Sequence, residues 1–205
     1  GRAYNLMMIP VTLIGQVSDR VFFPTMATLQ NDQERLKDAY VKGTTAIAIL
    51  TLPSSVVFIQ LAPYIVSVLL GNQWSVVIVP FQILAAGIFM RTVYKMGDSL
   101  ARAKGAVYQR AWRQGVYAFL IVVGTWMGHF WGLEGVAIAV LSAITINCIL
   151  MTQLSLQILR VSWLEFMRLL IGPLALSIIL GIESYALLLI LEPLGLSNFL
   201  LLLLA

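Results

Sequence analysis

Residues 4–29 read Tyr4-Asn-Leu-Met-Met-Ile-Pro-Val-Thr-Leu-Ile-Gly-Gln-Val-Ser-Asp-Arg-Val-Phe-Phe-Pro-Thr-Met-Ala-Thr-Leu29. The run is long enough to cross the roughly 30 Å hydrocarbon core of a bilayer. Yet Asp19 and Arg20 sit side by side well inside it. An ionised group at that depth costs several kcal/mol unless it is paired or faces water. The pair therefore marks a polar path through a helix bundle rather than lipid contact, which points to a transporter or channel. Gln16 and Ser18 line up near Asp19 and are placed to share its hydrogen bonding.

Working outward, composition sets the class. Of the 205 residues 60% are hydrophobic and only 11% charged, far more apolar surface than a soluble domain of this size can bury. The chain is read as an integral membrane protein. The single cysteine, Cys148, and the single histidine, His129, lie on separate apolar stretches. They cannot build a disulfide, a metal site or a nucleophile-and-base set, and no Gly-rich nucleotide loop is present. No metal, no cofactor and no specific nucleic-acid partner is expected. The chain begins at Gly1 and stops inside the apolar run Phe199–Ala205, so it is taken as part of a longer protein.

At about 20 apolar residues per span, helices are expected near 4–29, 43–69, 75–98, 115–131, 134–157 and 168–191, with a seventh begun at 195. The predicted fold is an all-α polytopic membrane bundle of about six full spans plus one partial span. The 43–69 span contains Pro53 and Pro63, which predict a kink and freed backbone groups that neighbours or water must satisfy. Nine of the 13 basic residues fall in the segments 30–42, 99–114 and 158–168, and none in 70–74, 132–133 or 192–194. That alternation is the positive-inside pattern, which makes the basic loops cytoplasmic. His129 then falls in an outer aromatic belt with Trp126, Phe130 and Trp131.

The third span holds the sharpest chemistry. Arg91, Lys95, Asp98 and Arg102 are spaced 0, 4, 7 and 11, which places all four on one helix face about 16 Å long. Three cations and one anion suit the holding of phosphate, because Arg and Lys offer several charge-assisted donors. Snorkelling at the cytoplasmic interface is the other role open to these long side chains, Arg102 above all. Asn147 reads as interhelical glue. Glu183 is a candidate for proton or sodium coupling, against an outward-snorkelling carboxyl.

The runs Ala3-Tyr-Asn-Leu-Met-Met-Ile-Pro10, Asp19-Arg-Val-Phe-Phe-Pro-Thr-Met-Ala27, Leu29–Leu36, Leu61-Ala-Pro63, Leu70-Gly-Asn-Gln-Trp74 and Gly132-Leu-Glu-Gly-Val-Ala137 together resemble the polysaccharide transporter, or Wzx-type flippase, branch of the MOP superfamily. The resemblance covers about residues 1–140. It implies the C-terminal lobe of a MATE-like fold, with 1–157 as a partial transport bundle and 158–205 as an additional C-terminal helix pair. It also implies a bacterial inner-membrane protein that turns undecaprenyl-pyrophosphate-linked oligosaccharide to the outer leaflet. In that frame Arg20, Arg91 and Lys95 hold the pyrophosphate, while Asp19, Gln16 and Asp98 line the cavity or balance its charge. The implied partners are the lipid-linked oligosaccharide, membrane lipids and an N-terminal bundle of the same protein. A multidrug or cation exporter of the same superfamily is the alternative, disfavoured by the basic bias of the stripe. A membrane enzyme of polysaccharide assembly fits less well, because the outer loops are only a few residues long.

Overall fold

The computed structural model describes residues 22–191. Gln16, Asp19, Arg20 and the segment from 195 onward lie outside them. Residues 22–28 are the helical end of the first expected span, and a turn at 29–32 leads into α1, Gln33–Leu69. Asp32 caps α1, its carboxylate accepting a hydrogen bond from the Arg35 backbone N–H at 3.1 Å. This satisfies one of the orphan donors of the first turn. At 37 residues α1 is about 55 Å long. It outreaches the bilayer core, so its charged start, 33–42, extends beyond the span.

The helix runs through both prolines. Pro63 has no N–H to donate to the carbonyl four residues back, and the Ile59 carbonyl instead accepts from Gln82 Nε2 at 3.0 Å. A neighbouring helix thus satisfies the freed group, as expected. After Gly71, whose φ of 89° only glycine adopts cheaply, a 3-10 turn Asn72–Val77 leads into α2, Ile78–Ala86. The expected single span 75–98 is in fact two helices. It breaks at Gly87, and α3 continues from Ile88 to Ala103.

The remaining elements are α4, Val107–Gly128, a 3-10 turn His129–Trp131, α5, Gly132–Leu159, and α6, Trp163–Leu191. Four helical runs, 33–69, 72–103, 107–159 and 163–190, are long and apolar enough to cross a membrane. The third folds back on itself at the 3-10 turn, so that α4 and α5 form a hairpin. Its two arms touch through backbone: a Cβ on Gly128 would lie 2.6 Å from the Gly135 carbonyl oxygen, and one on Gly124 would lie 3.3 Å from the Ala139 Cβ. Small residues at such crossings let helices approach where lipid offers no hydrophobic drive. Among the described residues there is no strand, and the protein is an all-helical, multi-pass membrane bundle. The expected count of about six spans plus a partial one reaches beyond the described residues.

Three basic segments gather at one end of the bundle. Lys104 Nζ donates to the Gln30 carbonyl at 2.6 Å, Gln33 Nε2 donates to the Ile158 carbonyl at 2.8 Å, and Lys37 pairs with Glu165 at 2.8 Å. Just inside this end lies the core, where Met26, Leu36, Tyr40, Met96, Leu100 and Leu156 are buried together. The tryptophans divide between the ends. Trp112 and Trp163 mark the basic end, and Trp74, Trp126 and Trp131 the other, all of them exposed, as aromatic belts require.

Candidate functional site: the charged face of α3

α3 presents its polar face because its opposite side is locked. A Cβ on Gly97 would lie 2.7 Å from Ser155 Oγ and 2.9 Å from the Met151 carbonyl oxygen, so α3 and α5 are in backbone contact there. Thr92, Val93, Met96, Gly97 and Leu100 are buried on that side. Arg91, Lys95, Asp98 and Arg102 all remain half-buried on the other. The expected stripe is therefore one continuous face, turned away from the α3–α5 contact.

The face is bridged at its basic end. Asp98 accepts from Arg110 through Nε and, at 3.3 Å, through Nη2. It also pairs with Arg102 Nε at 3.2 Å. The Arg102 guanidinium lies 4.9 Å from the centroid of the Phe23 ring, a cation–π contact, and its Nη2 reaches Ser99 Oγ at 3.4 Å. One chain of contacts thus joins residues 22–28, α3 and α4 across the stripe. Lys95 makes no ion pair among the described residues.

Several expectations change here. The basic segment 99–114, expected as a loop, is largely helical: α3 runs to Ala103 and α4 starts at Val107. Arg113 in it is buried, donating to the Leu150 carbonyl at 3.1 Å and the Gln109 carbonyl at 2.7 Å. Arg110 was not among the sequence candidates, although a cation in the first turn of a helix opposes the macrodipole and signals a partner elsewhere.

Asn147 is fully buried but bonds to no other helix, its amide N and O lacking partners among the described residues. The interhelical polar joint lies instead between α1 and α6, where Gln60 Nε2 donates to the Gly181 carbonyl at 2.9 Å and Gln60 Oε1 accepts from Ser184 Oγ. Glu183 stands beside that joint on the exposed side of α6, an element that packs along α1. It is not brought to the stripe. Asp19, Arg20 and Gln16 are outside the described residues.

Residues 1–79 match a family model described as a polysaccharide biosynthesis protein. The chain is 27% identical over 190 residues to the lipopolysaccharide biosynthesis protein WzxC of Escherichia coli, covering 90% of the chain and 38% of that relative. It is 26% identical over 149 residues to an uncharacterized membrane protein in the cps region of Klebsiella pneumoniae, covering 72% and 31%. To the teichuronic acid biosynthesis protein TuaB of Bacillus subtilis it is 22% identical over 103 residues, covering 50% and 21%. The chain thus spans less than half the length of the curated relatives it matches. No solved structure matches it. With matches that run from residue 1 and, in the first relative, across most of the bundle, the chain resembles the Wzx-type polysaccharide flippases.

Proposed function

We propose that this chain is part of a transporter that moves undecaprenyl-pyrophosphate-linked oligosaccharide from the cytoplasmic to the outer leaflet of a bacterial inner membrane. The observation that carries the proposal is the α3 face. Arg91 and Lys95 sit half-buried on a spanning helix whose other side is fixed by the Gly97–Ser155 approach. Lys95 has no ion pair among the described residues, and a cation held at that depth needs an anion or water; a pyrophosphate offers both charge and several acceptors. The relatives named for lipopolysaccharide and teichuronic acid biosynthesis support a saccharide cargo.

In this scheme the basic end faces the cytoplasm. Arg20 joins Arg91 and Lys95 in holding the pyrophosphate, and Asp19, Gln16 and Asp98 limit the excess positive charge. The saccharide crosses between this lobe and an N-terminal bundle while the lipid tail stays in the bilayer. The work is vectorial rather than catalytic, drawn from a proton or sodium gradient.

The test is surface polysaccharide in cells expressing the full-length protein, read beside its level in the membrane. Arg91→Ala and Lys95→Ala should abolish most export at normal protein level. Arg91→Lys should keep part of it, because charge survives the loss of the planar fork. Wild-type export in both alanine variants would remove the stripe from the mechanism.

A further inference from the structure

The α4–α5 hairpin ends in a cleft, on the side of the bundle away from the basic segments. Because the two arms touch through glycine backbone, side chains leave the seam beside the crossing unfilled. A cleft of about 570 Å³ opens there over Gly124, Gly128 and Gly135. Met127, Trp131 and Ile138 line its sides and are 49%, 71% and 54% exposed. Glu134 is the one acidic or basic residue in the lining.

Glu134 sits in the first turn of α5, where the helix dipole favours an anion. Its carboxylate takes part in no ion pair or hydrogen bond among the described residues. The hairpin supplies no Lys or Arg beside it: Arg110 and Arg113 lie at the far end of α4, and Arg160 follows the far end of α5. Arg113 is about 20 Å of helix from the turn. His129 shares the turn and is exposed, but it forms no ion pair with Glu134. Trp126 and Trp131 are exposed at the same end, a residue type that settles at the membrane–water interface. A carboxylate and a tryptophan ring thus meet apolar walls at headgroup depth.

We infer that this cleft seats a phospholipid whose headgroup bears a primary ammonium, such as phosphatidylethanolamine. Glu134 accepts charge-assisted hydrogen bonds from the ammonium, and Trp131 offers its ring face to the same cation. The start of an acyl chain runs over the glycine floor toward Ala139, between Met127 and Ile138. From Glu134 to Ala139 is about 7 Å of helix, so the cleft holds only the beginning of the chain. A saccharide fits less well. Each of its hydroxyls needs a partner, and the Glu134 carboxylate and the Trp131 indole N–H are the polar side-chain groups in the lining. A third helix also fits less well, because the glycine faces already meet each other and Glu134 would be buried without a cation. The site uses neither Arg91 nor Lys95, so it stands apart from the export proposal.

The probe is phosphatidylethanolamine, titrated into the full-length protein in detergent and counted by native mass spectrometry, with phosphatidylglycerol as the anionic control. The wild type should bind the ethanolamine lipid about tenfold more tightly than phosphatidylglycerol. Glu134→Gln, nearly identical in shape, should weaken ethanolamine-lipid binding about tenfold, and Trp131→Leu about fivefold. Glu134→Lys should reverse the order of the two lipids. That ratio is read within one protein, so it holds even where the variant is less stable. Equal binding of both lipids by the wild type overturns the inference, because a lipid that merely coats the bundle ignores the headgroup. Unchanged binding in Glu134→Gln at a wild-type melting temperature overturns it as well. Displacement of the lipid by a soluble oligosaccharide would give the cleft to a sugar, and a lipid-independent dimer lost in Trp131→Leu would give it to a second copy of the chain; either result sinks the lipid site.

Discussion

The α4–α5 hairpin and the outward face of α3 lie side by side and meet the membrane in opposite ways. The hairpin brings glycine backbones into contact at Gly128 and Gly135, with Glu134 alone of the acidic and basic residues lining the cleft beside that crossing. On α3 the same device, Gly97 against Ser155 and Met151, occupies only one side, and the other carries four ionisable residues. Close packing on one side is what allows charge on the other. A helix gripped at its backbone does not need its second face for that contact, so that face can carry polar side chains.

The largest effect is expected where the hairpin closes. A Cβ on Gly135 would lie 2.5 Å from the Gly128 carbonyl oxygen, so Gly135→Val should cost about 3 kcal/mol through overpacking. The readout is a lower melting temperature and a depleted membrane level. Gly115 has nothing within 4 Å of such a Cβ, and Gly115→Ala should leave both unchanged. Equal behaviour of the two variants would break the contrast.

Arg110 and Arg113 sharpen it further, three residues apart on one helix. Arg113→Leu removes the bonds to the Leu150 and Gln109 carbonyls and should destabilise by about 2 kcal/mol, since hydrogen bonds to charged groups are the stronger kind. Arg110→Leu, at the partly exposed bridge, should cost less stability and more export. Thermal unfolding in detergent against polysaccharide export separates the two. At the α1–α6 joint Gln60→Leu removes two interhelical hydrogen bonds, to the Gly181 carbonyl and from Ser184 Oγ, and should cost about 1 kcal/mol, the usual range for polar contacts within membranes. Export per folded molecule should stay normal. The smallest effect belongs to Glu183. On the exposed side of α6, Glu183→Gln should leave export unchanged at normal protein level. Loss of export there would make it the coupling group and shift attention from α3 to α6.

The sequence by itself determined what depends on composition and on a helix's own period. The apolar content, the presence of apolar helical runs between residues 43 and 191 though not their ends, the alternation of basic segments and the phase of Arg91, Lys95, Asp98 and Arg102 all follow from spacing along one chain. Tertiary structure alone decided which polar group meets which. Gln82 reaches the carbonyl freed by Pro63, Gln60 rather than Asn147 joins two helices, and Arg113 is buried while Arg110 turns to Asp98. The break at Gly87 likewise needed the neighbour, for a Cβ there would lie 2.9 Å from Leu141 Cδ1. The physical reason is that a 3.6-residue repeat sets the face a residue occupies on its own helix. The rotation and rise of the helix opposite, which set the partner, are fixed only when both have packed.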